Sequence, residues 1–500
     1  MASPVIRPVR ARLAPSPTGF MHVGTLRTVL YDYFLVRQSG GQLILRIEDT
    51  DQERLVPGAL ESLLKTLHTL GIDYDEGPYL RSDGTIEEKG EYGPYVQSHR
   101  LDTYRPVVDR LLASGHAYHC FRSSETLDEM RRIQTASKLP TKYDRRCLAL
   151  SAEEVKARLT AQASYVVRLK VPEGTLSFED AIRGVISFQS SEVDDAVILK
   201  SDGFPTYHLA VVVDDHLMKI THVLRGEEWT SSTPKQIMLH QALGWEMPVY
   251  AHVPLLLNPD KTKLSKRKGD VSIESYLAKG YLPEALINFL ALLGWNPTSD
   301  REIFTRAELI ELFDLRKVNH SGAVMNMEKL DWTNAYYIKQ LTLDRYFQLC
   351  DDRSVFTTEI GTDKRLEELR AAEIAKERAI TLNDIPVMIA ELALTKDHLE
   401  YDPAIVIWKK STKEETKTRL DGVRTWIHEH TAKDFTSMTT LETALRAWIV
   451  EKGWGNGDTL WPLRVALSGK EKSPSPFELL YVLQKERSLQ RIDDALAYLA

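Results

Sequence analysis

The residues best equipped for chemistry lie in two short runs, APSPTGFMHVGT at 14–25 and KTKLSKRKGD at 261–270. In the first, a Pro- and Gly-rich turn delivers His22 and Gly24 to the start of a segment with helical spacing, which Thr25 continues. The N–H groups and dipole of a helix start favour an anion, His22 adds a donor, and a glycine lets a phosphate or a flat purine approach the backbone. The second run holds five basic residues in eight positions, is broken by Ser265 and ends at Gly269. Mobile lysines of this kind can neutralise charge that develops on a triphosphate. Alone, the first run is an ordinary loop with one His and the second a solvated or RNA-contacting basic loop. Together, on opposite halves of a split sheet, they point to nucleotide chemistry.

The elements that must position them follow from periodicity. Residues 10–14 read as a strand, 22–38 as a helix stopped by Gly40 and Gly41, and 42–48 as a second strand. Residues 57–71 read as a second helix, with Pro57 in its first turn and Gly71 as its C-terminal cap. This alternation predicts a parallel sheet. From 118 to about 188 the pattern breaks into short strands and charged helices, DEMRRIQ and SAEEVKARL among them, which indicates an inserted subdomain. The apolar runs DDAVILK (194–200), LAVVVDD (209–215) and ITHVLRG (220–226) read as buried strands with which the sheet resumes. Beyond roughly residue 275 the periodicity is helical.

Bulk properties narrow the class. Five hundred residues at 43% hydrophobic composition exceed one small core. A net charge of −7 and a pI near 6.1 exclude a protein that coats nucleic acid nonspecifically, while local basic patches remain open. Three cysteines, Cys120, Cys147 and Cys350, fit a reducing compartment, read as cytoplasm. The N-terminus lacks an apolar signal core, and no run reaches the ~18 apolar residues of a membrane span.

HVGT (22–25) and KLSKR (263–267) resemble the two signatures of class I aminoacyl-tRNA synthetases; neither GxGxxG nor GxxxxGK[ST] stands in the matching places. In order, RLAPSPTGFMHVGT, LRIEDTDQERLVPGA, DGFPTYHLAVVVDDH, LRGEEW and LLNPDKTKLSKRKGD are similar to the glutamyl branch over nearly the whole catalytic region. The resemblance implies an α/β Rossmann-type catalytic domain (1–117 and 193–262) with an inserted α+β acceptor-binding subdomain (118–192). A signature loop and stem-contact region (263–342) and an all-α anticodon-binding region (343–500) would follow. It further implies L-glutamate, ATP with Mg²⁺ and tRNA(Glu) as partners, a monomer, and two steps through a glutamyl-adenylate, with activation dependent on bound tRNA.

Carried over residue by residue, the resemblance makes His22, Lys263 and Lys266 catalytic. It puts ATP on His22, Gly24, Thr25, Glu228, Lys263, Ser265, Lys266 and Arg267, and glutamate on Arg12, Ala14, Ser16, Glu48, Tyr207 and Arg225. The chemistry agrees: a guanidinium offers a carboxylate a planar charge-assisted fork, Arg12 and Arg225 stand at strand ends where open α/β sheets bind ligands, and Glu48 suits an α-ammonium. Each is otherwise a surface Arg at a strand end or, for Glu48, a helix-capping acid before the DTD turn. Arg378 is a candidate reader of the third anticodon base, or an ordinary charge on a helix surface beside Glu373 and Glu377. Some relatives carry four zinc ligands in the insertion; Cys120 and Cys147 align with two, while Arg122 and Ala149 replace the others, so no complete zinc site is expected.

Three alternatives stand beside this reading. A glutamine-charging relative shares both signatures but typically lacks an Arg at the place of Arg225. A noncatalytic RNA-binding paralogue would have little use for intact His22, Gly24, Lys263 and Lys266. A truncated relative that glutamylates a tRNA base ends soon after the second signature.

Overall fold

Arg10–Leu13 forms β1, buried along its whole length, and leads through the PSPTG turn into α1 (Val23–Ser39). The helix starts at His22 and stops at Gly40, whose φ of 63° is the left-handed conformation that glycine adopts without strain. β2 (Gln42–Leu45) pairs parallel with β1, Arg12 opposite Ile44. α2 (Ala59–Thr69), β3 (Gly77–Leu80), β4 (Ile86–Lys89) and α3 (Leu101–Ala113) follow. The next stretch holds β5 (Ala117–Cys120), α4 (Ser124–Ala136), α5 (Ala152–Thr160), β6 (Val166–Leu169), β7 (Thr175–Asp180), β8 (Gly184–Gln189) and β9 (Val197–Leu199). Then come α6 (Tyr207–Leu217), β10 (His222–Gly226), α7 (Thr233–Leu243), β11 (Val249–Val253) and β12 (Leu256–Leu257). The structure, a computed structural model, describes residues 8–264, 271–297, 300–392, 394, 396, 398–409 and 411–500.

β10 and β11 are parallel, and β1 lies beside β10: the Thr221 N–H donates to the Arg10 carbonyl at 2.8 Å. The parallel strands that carry Arg12 and Arg225 are therefore neighbours. α1 packs on β1 and β10, while α3, α6 and α7 form a second apolar cluster around Val108, Leu111, Val211, Val213 and Leu239.

Four expectations change. LAVVVDD is helical, within α6, not a strand. Leu209–Val213 are buried on every side, and a helix that is apolar all round has lost the periodicity that would distinguish it from a buried strand. Residues 194–200 do contain a strand, but β9 pairs antiparallel with β6 in the sheet β5–β6–β9, so the parallel sheet resumes only at β10. Conversely β7, from the stretch read as an insertion, pairs parallel with β11 at Asp180 opposite Tyr250. Pro57 precedes the N-cap Gly58 of α2 rather than occupying its first turn.

The chain continues through α8 (Ile273–Ala278), α9 (Pro283–Ala291), α10 (Arg306–Leu312), β13 (Ala323–Val324) and α11 (Met327–Gln340). α12 (Leu343–Asp352), α13 (Asp363–Lys376), α14 (Asp384–Glu391), α15 (Lys413–Glu429), α16 (Met438–Glu451), α17 (Asn456–Ser468) and α18 (Pro476–Tyr498) complete it. Two compact units result: Met1–Ala278 with Pro283–Leu330, and Lys279–Leu282 with Asp331–Ala500. The second is helical among its described residues; α18 carries the apolar side chains Phe477, Leu480, Leu483 and Ile492 into its core. No helix among the described residues is long and apolar enough to cross a membrane.

Candidate active site

The ends of β1, β2 and β10, the start of α1 and the hairpin after β12 surround a cavity of about 440 Å³. Its wall includes Arg12, Ala14, Ser16, His22, Gly24, Thr25, Glu48, Tyr207, Arg225, Glu228 and Lys263. Both substrate-pocket candidates and phosphate candidates thus face one space. Ser265, Lys266 and Arg267 lie outside the described residues.

At the phosphate end, His22 Nδ1 accepts the Gly24 N–H at 3.0 Å. An imidazole nitrogen that accepts carries no proton, so the neutral ring holds its proton on Nε2. A Cβ on residue 24 would stand 3.2 Å from His22 Nδ1, so glycine serves this close approach as well as access for a ligand. The helix start is less open to an anion than its position in sequence suggests, because the Val23 N–H is bound to the Val271 carbonyl at 2.9 Å. Lys263 is exposed on the return strand of the hairpin, bridged to Leu257.

The opposite wall is built from buried charges. Arg46, just past the end of β2, donates to Glu48 at 2.9 Å and to Asp215 at 2.7 Å; Arg12 Nε lies 3.4 Å from Asp215. Burial raises the Glu48 pKa against the opposing pull of Arg46 and Arg12. For Asp215 burial also works upward, but the same two guanidiniums prevail and its pKa is lowered. Asp32, from α1, lines the cavity too, and burial drives its carboxyl well above the usual carboxylate range, only partly offset by Arg12.

Arg225 is held on three sides. Its Nε donates to His252 Nε2 at 3.0 Å, Nη1 to the Tyr207 hydroxyl at 3.2 Å and Nη2 to Thr233 Oγ1 at 2.7 Å. A guanidinium has five N–H donors, so three anchor it and two, one on each Nη, remain for an acceptor. Trp229 lies over Tyr207 with ring centroids 4.5 Å apart.

Arg46, Asp215, Asp32, His252 and Thr233 were not singled out from sequence. Asp32 carried a usable signal, an acid within the apolar helical run VLYDYFLV; Arg46, Asp215 and His252 take their roles from partners far along the chain, and Thr233 from Arg225 across the turn between β10 and α7.

Arg378 belongs to the helical unit. It lies in a turn just after α13, its Nη2 donates to Glu478 at 2.5 Å, and Glu373 instead accepts the Tyr481 hydroxyl at 2.7 Å. Arg378 thus meets an acid a hundred residues away in sequence rather than one on its own helix. Cys120 and Cys147 are buried free thiols in a cluster with Tyr118 and Tyr143, and the Tyr143 hydroxyl accepts the Cys147 N–H at 3.1 Å. Among the described residues no cluster of three or more His, Cys, Asp or Glu side chains could hold a metal ion.

A parallel sheet whose strand ends bring guanidiniums, an acid and a capped helix start into one cavity defines an α/β enzyme of nucleotide-dependent chemistry. Residues 8–332 match the model of the class I tRNA synthetases (E and Q), catalytic domain, and residues 331–496 that of an anticodon binding domain. The chain belongs to the class I tRNA synthetases of the E and Q type. It is 43% identical over 489 residues to a glutamate–tRNA ligase of Alkaliphilus metalliredigens, covering 97% of this chain and 98% of the relative. It is 42% identical over 499 residues to one of Clostridioides difficile, covering 97% and 98%. A crystal structure of a glutamate tRNA ligase from Elizabethkingia meningosepticum, in complex with its amino acid, is similar with a TM-score of 0.85 and 34% identity, over 99% of this chain and 100% of that one.

Proposed function

We propose that this chain joins L-glutamate to the 3′ end of tRNA(Glu) at the expense of ATP. The observation that carries the reading is the convergence of Arg225, Arg12 and Glu48 with His22 and Lys263 on one cavity. The two remaining donors of Arg225 suit the side-chain carboxylate of glutamate, with Tyr207 beside it; Arg12 adds positive charge to the same wall, and Glu48 takes the α-ammonium. Ala14 and Ser16 border the substrate where β1 ends.

ATP lies across the start of α1, near Gly24, Thr25 and Glu228, and brings Mg²⁺ on its phosphates. The glutamate α-carboxylate attacks the α-phosphorus and pyrophosphate leaves. A ribose hydroxyl of the terminal tRNA nucleotide then attacks the acyl carbon and AMP leaves. His22 donates through Nε2 to a phosphate oxygen, while Lys263, with Ser265, Lys266 and Arg267 beyond it, counters charge that grows in the transition state. No side chain forms a covalent bond to substrate, so catalysis comes from positioning and charge.

In this reading residues 118–192 receive the acceptor end, the helical unit reads the anticodon with Arg378 at its third base, activation requires bound tRNA, and the enzyme is a cytoplasmic monomer. Two thiols supply half of a tetrahedral zinc shell, and Cys120 and Cys147 do not fit one.

Pyrophosphate exchange with purified tRNA isoacceptors tests the core of this. Exchange supported by glutamate and tRNA(Glu), but not by glutamine, is expected. Activity with glutamine would favour the glutamine-charging relative, and brisk exchange without RNA would remove the tRNA requirement.

A further inference from the structure

Behind Arg225 stands a buried pair that the proposed chemistry does not use. His252, on β11, and Asp180, at the end of β7, are inaccessible; His252 Nδ1 lies 2.6 Å from Asp180 Oδ2, and the His252 N–H donates to the same oxygen at 3.0 Å. The other oxygen, Asp180 Oδ1, accepts the N–H groups of Ile182 at 3.0 Å and Arg183 at 2.9 Å.

These contacts fix the imidazole tautomer. Arg225 Nε can only donate, so His252 Nε2 must accept and the ring proton must sit on Nδ1, where Asp180 receives it. Burial lowers the His252 pKa more than Asp180 raises it, which keeps the ring neutral and able to accept. The acceptor that turns the Arg225 fork toward the cavity therefore exists only because Asp180 holds the proton on the far side of the ring.

We propose that Asp180 and His252 are positioning residues for Arg225 and thereby set the enzyme's affinity for glutamate and its discrimination against glutamine. The proposal rests on the reading that Arg225 holds the substrate side chain. It also puts Asp180, from the stretch 118–192, in mechanical contact with the amino-acid pocket.

Asp180→Asn keeps shape and reverses the hydrogen bonding. Its single carbonyl goes to the side with two obligatory backbone donors, Ile182 and Arg183, rather than to the side with one, the His252 backbone N–H, and its NH₂ then faces His252. The ring then accepts at Nδ1 and carries its proton on Nε2, against the Nε–H of Arg225. His252→Asn keeps a donor for Asp180 but loses the acceptor for Arg225; His252→Gln keeps an acceptor at the distance of Nε2.

KM for glutamate and for ATP is measured in tRNA-dependent pyrophosphate exchange, with thermal unfolding of each variant and with Arg225→Ala alongside. Losing one charge-assisted bond predicts a rise of about 10- to 100-fold in KM for glutamate in Asp180→Asn and His252→Asn. The ATP value stays within about twofold, and His252→Gln shows a clearly smaller rise. Equal rises for both substrates, or equal effects of Gln and Asn, overturn the proposal and leave the pair a purely structural role. Unchanged glutamate KM in both variants, with a raised KM in Arg225→Ala, overturns it while sparing the pocket reading. An unchanged KM in Arg225→Ala removes the pocket reading itself. Should the His252 variants not fold, the isosteric Asp180→Asn decides alone.

Discussion

Replacing Asp215 by Asn removes one charge from a buried, balanced set of two guanidiniums and two carboxylates. Arg46 is fully buried, and Arg12, Asp215 and Glu48 are nearly so. Asp215 accepts from Arg46 at 2.7 Å and lies 3.4 Å from Arg12. Asn preserves volume but leaves the wall with an uncompensated positive charge. Breaking a buried ion pair by loss of one partner costs about 3–5 kcal/mol. The unit that contains it has about 330 residues, and at about 2.1 cal/mol/K of unfolding entropy per residue this becomes a fall of about 4–7 °C in its Tm. The Asp215 pKa is depressed in the fold, so its stabilisation is present above its ordinary value of 3.8 and is lost as pH falls through the folded value. The gap between wild type and Asp215→Asn should therefore be constant near neutrality and close only in strong acid. Removing both charges, Arg46→Met with Asp215→Leu, leaves Arg12 and Glu48 to balance each other and should cost less than Asp215→Asn alone. Calorimetry and urea unfolding at several pH values read all three proteins. A loss below about 1 kcal/mol in the single variant, or a double variant that costs more than the single, would refute the reasoning.

Lys266→Ala should lower the rate of adenylate formation by about 100-fold or more while KM for glutamate changes only a few-fold, read by pyrophosphate exchange; equal losses in both contradict a transition-state role. Burial, outweighing Asp215, depresses the His240 pKa to about 4. A depressed base stabilises fully above about pH 6.5 and loses this as pH falls toward 4, so acidification from pH 7 to 4.5 should remove about 2–3 kcal/mol that His240→Gln does not lose, measured by urea unfolding at both pH values. The unmutated enzyme should reject tRNA(Gln), and Arg378→Gln should relax this while pyrophosphate exchange with tRNA(Glu) continues; efficient glutamylation of tRNA(Gln) by wild type goes against the anticodon role. Metal analysis of purified protein should return far less than one zinc per chain.

What could be read from sequence, and what could not, divides along the distance over which each residue is defined. β1, α1, β2 and β10 were legible because their signals are local: short apolar runs, a turn rich in Pro and Gly, and a glycine at 40 that takes φ of 63°. Arg12 and Arg225, at the ends of β1 and β10, were legible for the same reason, since a strand end in an open α/β sheet faces a ligand whatever the remainder of the chain does, whereas the roles of the other lining residues rest on the family resemblance. LAVVVDD failed because its period vanishes when a helix is covered on all sides. The partners that tune the site were hidden by a deeper cause. Arg46 owes its orientation to an acid 169 residues away, and His252 owes its proton to one 72 residues away. An arginine, a histidine and an aspartate in strands and strand ends carry no mark of such pairings. The same argument gives the pairings their weight: inside an apolar sheet edge an unpaired charge is costly, so a fold that keeps Arg46, Asp215, Asp180 and His252 buried must bring each to its partner before Arg12 and Arg225 can face a substrate.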